Sequence, residues 1–311
     1  MTEKNKKTYF YPRLGGRKDF WFFRLGGDGI GNGLYNYFHA YVLALKNNGV
    51  IISPPWPTLK IGPLLRGERS KRFYLGLFEA AENDVSSIRK FFTLLSYWRK
   101  RKEIELGEDN TNVTNDIKKG NLNIISFPAW VFTFDGLYEY KEEIRDRFME
   151  IIQDEKSQKD EWGKGGYIAV HVRLGDFTAV DDIEQIKKGL VNTRIPLSWY
   201  IDIINLLKRS CPDTPIRIFS DGNDKDLLPL TETGAEIYRG ETDLDDLLTM
   251  SNASILVGSR STFSYWAAFL GNMPSIWLQT ENMDHKIAIN DMQATQHFIA
   301  LDEIPPTISF D

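Results

Sequence analysis

The stretch Tyr167-Ile168-Ala169-Val170-His171-Val172-Arg173-Leu174-Gly175-Asp176-Phe177 decides how the rest of the chain is read. Residues 167–170 are apolar and β-rich and follow Gly163, Gly165 and Gly166, the pattern of a buried strand entered through a turn. An imidazole, a guanidinium and a carboxylate then come within six residues, from His171 to Asp176. In open α/β sheets ligands bind just past the carboxyl ends of the strands. A planar guanidinium with five donors suits an anionic oxygen pair such as a pyrophosphate. The stretch therefore reads as an anion site at a strand end, with an Arg–Asp pair that only braces a loop as the equal alternative.

Outward from this strand, strand-like and helix-like segments alternate, the signature of a parallel-sheet α/β protein. Downstream, 196–208 has helical spacing with Pro196 at its first turn, and 216–219 reads as a strand ending at Ser220-Asp221-Gly222. Asp243 caps a helix to residue 250, 255–257 is a strand, 261–270 a helix and 274–278 a further strand. Upstream, 20–25 reads as a strand that runs into the glycine-rich turn 26–33. Leu34, Tyr37, Phe38, Tyr41 and Leu45 then share one helical face. Residues 50–52 and 122–126 read as strands, 73–78 as extended, and 138–153 as a helix. Val85, Ile88, Phe92, Leu95 and Trp98 also return at helical spacing, behind Asn83 or Asp84 as N-cap. The charged connector 154–160 separates a first domain, 1–155, from a second, 156–311. Two α/β halves imply a cleft between them, a common place for a ligand.

A chain of 311 residues with 42% hydrophobic and 26% charged residues can bury a large core and is globular by composition. Its net charge of −5 argues against a protein that coats nucleic acid. The single cysteine, Cys211, excludes an internal disulfide and a cysteine-built zinc cluster, and fits a reducing, cytoplasmic setting. Four histidines without paired helical spacing argue against a histidine-built metal site. Residues 1–7 are polar, and no apolar run reaches the length of a signal peptide or a transmembrane segment. The run Arg99-Lys100-Arg101-Lys102 reads first as a solvated face, with a peripheral contact to an anionic membrane as the alternative.

Three strand ends carry candidate chemistry. The cluster Gly26-Gly27-Asp28-Gly29-Ile30-Gly31-Asn32-Gly33 fails the dinucleotide fingerprint, since the third glycine position falls on Asn32 or Leu34. It remains a turn through which backbone, Gly31 and Asn32 approach a ligand closely. Asp221 offers a carboxylate to a guanine edge or a ribose hydroxyl, or else serves an Asx-turn. Gly258-Ser259-Arg260-Ser261-Thr262-Phe263-Ser264 runs from strand to helix. Capping explains one of its four hydroxyls, and a helix N-terminus so equipped binds phosphate. Arg173, Asp221 and Ser261 thus stand at the ends of strands in one domain.

At these residues a resemblance emerges. His171-Val172-Arg173-Leu174-Gly175-Asp176 resembles the His-x-Arg-x-Gly-Asp motif of GDP-fucose-dependent fucosyltransferases, above all the α-1,2-fucosyltransferase family. Gly29-Ile30-Gly31-Asn32 is similar to that family's Gly-x-Gly-Asn turn, and Asp245 to Ser251 with Ser261 to Ala268 to its third motif. The resemblance implies a GT-B fold, two Rossmann-like domains facing across a cleft. It implies inverting, metal-independent transfer of fucose from GDP-fucose to a hydroxyl of a glycan acceptor, with no cofactor besides the donor substrate. Carried over, Arg173 binds the β-phosphate and His171 contacts the donor nucleotide. Asp221 reads the guanine, Ser261 and Thr262 hold the pyrophosphate, the adjoining Phe263 belongs to the same donor-binding set, and Asn32 with Gly31 reaches in from the other domain.

Two positions depart from the α-1,2 pattern: Leu174 stands where a second Arg is usual and Arg260 where Asn is. Asp181, ten residues past His171, has the spacing of the proposed base in related α-1,6 enzymes. Asp176 is the other catalytic candidate and more naturally a brace, while Arg260 is a second cation for the leaving group. The competing expectations are a transferase for another nucleotide sugar and a binding protein that has lost catalysis. A nicotinamide oxidoreductase ranks last.

Overall fold

The computed structural model describes residues 7–14, 18–26, 29–59, 73–96, 101–103, 124–127, 134–152, 162–180, 182–190, 192–281 and 295–310. The chain forms two compact units, one from Met1–Gly62 and Lys71–Lys156, the other from Ser157–Asp311. Both are α/β bodies built on a parallel sheet.

The first unit contains β1 (Tyr9–Pro12), β2 (Arg24–Leu25), α1 (Ile30–Lys46), β3 (Val50–Ile51), β4 (Thr58–Leu59), α2 (Ser87–Ser96), β5 (Arg101–Glu103), β6 (Ile124–Phe127) and α3 (Lys141–Ile151). Its sheet runs β3-β1-β6-β5, with β2 and β4 paired separately. Leu34, Tyr37 and Phe38 of α1 are buried as their spacing predicts, whereas Leu45 stays exposed.

Several expectations change here. The strand expected over 20–25 shrinks to Arg24–Leu25 because Phe20, Trp21 and Phe22 make a tight turn. In that turn Phe22 N–H bonds Phe20 O at 2.8 Å and Trp21 takes φ 70. The glycine-rich turn is shorter than expected, since α1 starts at Ile30 and makes Gly31 and Asn32 its first turn. Residues 73–78 hold a turn, and Phe78 bridges Ile152. Neither Asn83 nor Asp84 caps α2, which starts at Ser87. Asp84 instead turns its carboxylate onto Arg147 of α3.

The second unit contains β7 (Gly165–Val172), α4 (Ile183–Lys187), α5 (Leu197–Ser210), β8 (Ile216–Ser220), α6 (Leu228–Thr231), β9 (Glu236–Ile237), α7 (Asp243–Asn252), β10 (Ala253–Val257), α8 (Thr262–Gly271), β11 (Ser275–Leu278) and β12 (Gln296–Ile299). The sheet order is β12-β11-β10-β7-β8-β9. Read from β9, this is the doubly wound order in which the chain starts at the centre and works outward in both directions, so β7 and β10 flank the topological switch point.

Strand alternation sends Ile168, Val170 and Val172 of β7 into one core with Trp199, Ile203 and Leu207 of α5. Each such fully buried side chain contributes about 1.5–3 kcal/mol relative to exposure. The opposite face of β7 presents Ala169 and His171 toward α8, whose residues from Ser264 to Gly271 are all buried. Helix α7 is capped by Thr242, in a reciprocal box with Asp245, where the sequence pointed to Asp243.

Candidate functional site

Strand register assembles the site. Val172 of β7 is paired with Ser220 of β8, so the next residues, Arg173 and Asp221, emerge side by side. Val170 pairs with Val257 of β10, which brings His171 beside the Gly258-Ser259 turn. The ends of β7, β8 and β10 therefore converge at the switch point, where a parallel sheet leaves a crevice for a ligand.

Arg173 is held from two sides. Its Nη1 lies 2.6 Å from Asp221 Oδ2 and its Nη2 2.7 Å from Asp176 Oδ1, and the guanidinium stands 5.5 Å from the Phe177 ring centroid. Asp221 Oδ1 accepts the N–H of Leu174 at 2.8 Å and of Gly175 at 3.0 Å. One carboxylate thus fixes both the backbone and the side chain of the β7 loop. The fit needs glycine on both sides: a Cβ on Gly175 would lie 2.5 Å from Asp221 Oδ2, and one on Gly222 2.6 Å from Leu174 Cδ1.

His171 is buried and joins a hydroxyl cluster. Its Nδ1 lies 2.6 Å from Ser264 Oγ and 2.9 Å from Ser259 Oγ, and Ser259 Oγ lies 2.9 Å from Ser261 Oγ. Burial, reinforced by the Arg173 cation and opposed by Asp221, pushes the imidazole far below its ordinary pKa, so the ring is neutral. Ser261 caps α8 through Ser264 N–H at 3.4 Å, and Ser264 Oγ in turn accepts Ser259 N–H at 3.1 Å. Phe263 lies 5.5 Å from the His171 ring. Gly258 is pressed on the Trp277 indole, where a Cβ would approach to 2.0 Å.

The structure thus gathers His171, Arg173, Asp176, Asp221, Ser261, Thr262 and Phe263 at adjoining strand ends of the second unit. Gly31 and Asn32 belong to the first unit, and Asp181 lies outside the described residues. Arg260 is committed elsewhere: its Nη2 donates to Gly189 O at 3.0 Å and its Nη1 to Leu190 O at 3.3 Å. It ties down the 189–190 turn rather than offering a second open cation.

The sequence reading passed over Arg239. It follows β9, donates to Ser220 O and to Gly222 O at 2.9 Å, and pairs with Asp224 at 2.7 Å, so it clamps the turn that carries Asp221. The signal was weak because β9 has only two residues, too short for a pattern to register.

The chain is 27% identical over 293 residues to an alpha-1,2-colitosyltransferase of Escherichia coli, which covers 84% of this chain and 93% of that protein. Solved structures with a similar fold include Arabidopsis thaliana FUT1 in complex with GDP, at 10% identity and a TM-score of 0.44, covering 90% of this chain and 72% of that one. The fucosyltransferase NodZ from Bradyrhizobium matches at 13% identity and a TM-score of 0.45, covering 85% and 94%. Likenesses this distant carry no argument about the reaction. The model of glycosyl transferase family 11 matches residues 105–297, which contain the β7 loop, the Asp221 turn and the α8 start. With more than half its length inside that match, the chain belongs to glycosyl transferase family 11 and is a glycosyltransferase.

Proposed function

We propose that this glycosyltransferase moves a fucose-type sugar from a GDP donor to a hydroxyl of a glycan acceptor, with inversion and without a metal ion. The observation that carries the reading is Arg173, poised at the switch point with Asp221 beside it and the Ser261-capped start of α8 across the β7–β10 boundary. In this mechanism the acceptor oxygen attacks the anomeric carbon as the bond to the β-phosphate oxygen breaks. The leaving GDP gathers charge, and Arg173 with the α8 N-terminus stabilises it. The acceptor proton passes to a carboxylate, for which Asp181 is the candidate by spacing and Asp176 the less suited one, being already bonded to Arg173.

Donor binding on this reading is an exchange of partners. The diphosphate takes the Arg173 Nη1 that Asp221 Oδ2 now holds, and the released Oδ2 accepts a guanine N–H. Oδ1 stays on the Leu174 and Gly175 N–H groups throughout, which keeps the carboxylate aimed. The likeness to the colitosyltransferase supports GDP-colitose as a second donor reading.

The deciding experiment measures transfer from GDP-fucose and GDP-colitose to a glycan panel, with and without EDTA. Transfer from either donor that survives EDTA supports the proposal, and the faster donor settles the sugar. Loss of activity in EDTA, or transfer only from a UDP-sugar, overturns it. GDP at a hundred times its Kd should stabilise the protein by about 2.7 kcal/mol, and NAD should not.

A further inference from the structure

The pairing of β8 with β9 stops early, at Arg217 with Glu236 and Ile218 with Ile237, and a side chain takes over where the ladder ends. Arg239 donates from Nη1 to Ser220 O and from Nη2 to Gly222 O at 2.9 Å, and Nη2 also pairs with Asp224 Oδ1 at 2.7 Å. The two carbonyls belong to the residues on either side of Asp221. Gly222 N–H bonds Ser220 Oγ at 3.0 Å. Peptide units are planar, so fixing the units before and after a residue sets its two backbone dihedrals. Arg239 holds the unit before Asp221 and Ser220 Oγ the unit after it.

Arg239 is itself anchored on both sides. Tyr238 N–H bonds Ile218 O of β8 at 2.9 Å, and Gly240 N–H bonds Asp246 Oδ1 of α7 at 2.8 Å. Its pair with Asp224, whose side chain is 76% exposed, is a surface pair of small worth. The carbonyl bonds are what require a guanidinium: they need two donors on one rigid plane, which an ammonium on a flexible stem lacks.

We propose, on the reading of Asp221 as the carboxylate that accepts a guanine N–H, that Arg239 is a positioning residue that sets the base preference of the donor site. On that reading Asp221 releases Arg173 as the donor binds, and its turn loses a tie when its aim matters most. Arg239 holds the turn by backbone carbonyls that this exchange does not touch, so Oδ2 alone changes partner. A carboxylate fixed in this way favours a base edge that presents an N–H and opposes one that presents a lone pair. Guanine and adenine differ in that respect at N1.

The test is the ratio of GDP to ADP affinity, measured by calorimetric titration. Both ligands carry a diphosphate and a purine, so the ratio isolates the base edge, and it does not depend on how much of a sample is folded. Arg239→Gln should lower the ratio by about tenfold, the scale of one hydrogen bond to a charged group. Arg239→Lys, which keeps the charge and reaches one carbonyl, should lower it too and serves where the Gln variant folds poorly. Asp224→Asn should leave it unchanged. In an Asp221→Asn background, Arg239→Gln should lower it no further. A wild-type ratio in both Arg239 variants overturns the proposal, as does an equal loss in Asp224→Asn, which would move the role to the ion pair. An additive loss in the double variant overturns it as well, by placing Arg239 on the base itself. A wild-type protein that binds GDP and ADP alike overturns the Asp221 reading, and this proposal with it.

Discussion

Arg173 and Asp221, one residue beyond the paired ends of two neighbouring parallel strands, form an ion pair of 2.6 Å between Nη1 and Oδ2. The same carboxylate receives two backbone N–H groups from the Arg173 loop through Oδ1. The guanidinium is thereby fixed in place, and on the proposed reading a phosphate oxygen of the donor displaces Asp221 Oδ2 from it.

Arg173→Lys should lower kcat by about 10²–10³-fold, because a single ammonium cannot bridge Asp176 and Asp221 and also present a fork to a diphosphate. Single-turnover transfer from GDP-fucose measures this. Activity within a few-fold of wild type would remove Arg173 from the leaving-group site.

Asp221→Asn keeps an oxygen for the Leu174 and Gly175 N–H groups but loses the second acceptor oxygen. GDP should then lose about tenfold in affinity relative to UDP. Calorimetric titration with both nucleotides gives the ratio. An unchanged preference would leave Asp221 as a loop clamp alone.

Gly258→Ala should destabilise the second unit by about 1–3 kcal/mol, since the added carbon meets the ring of the fully buried Trp277 at 2.0 Å. A lowered melting temperature checks it, and a Trp277→Leu background should soften the effect.

The buried neutral His171 sets an acid limit on stability. Its folded pKa is depressed, so the native state binds fewer protons than the unfolded one below about pH 6.5, and stability falls as pH drops through that point. The chemical denaturation midpoint of wild type should decline between pH 7 and 4 more steeply than that of His171→Asn. Equal slopes would show that the ring is protonated in the folded protein.

In the first unit, Arg147 meets Asp84 and also donates to Tyr37 Oη at 2.8 Å, all three being buried. Burial outweighs Arg147 and pushes the Asp84 carboxyl up to about 6. Arg147→Met should cost about 3–5 kcal/mol by stranding that carboxylate, and adding Asp84→Leu should recover much of the loss. The Arg147→Met penalty should shrink as pH falls toward 6, because the carboxyl without Arg147 takes up its proton at higher pH, and should level off below 6, where Asp84 is protonated in both proteins. Urea titration of the single and double variants at pH 5 and pH 7.5 tests both statements.

The second unit was legible in outline because its strands are continuous apolar runs punctuated by glycines and capped helices, and a buried parallel strand writes that pattern directly into the chain. The first unit was less so: β1 and the turn at Phe20 to Phe22 have no such punctuation. The exposed stripe Ile88, Phe92 and Leu95 of α2 inverts the rule that periodic apolar residues face the core, because the buried bonds of Lys90 outrank the pattern.

Local sequence determined the parallel α/β plan, the placing of His171, Arg173, Asp221 and Ser261 at strand ends, and the family those residues resemble. Tertiary structure alone decided who holds whom. It paired Arg173 with Asp221, sank His171 into a serine cluster and turned Arg260 toward the 189–190 turn. Motifs record which groups are present, but partners are chosen by strand register and sheet order. Those are set by contacts between segments far apart in the chain, which no local pattern encodes.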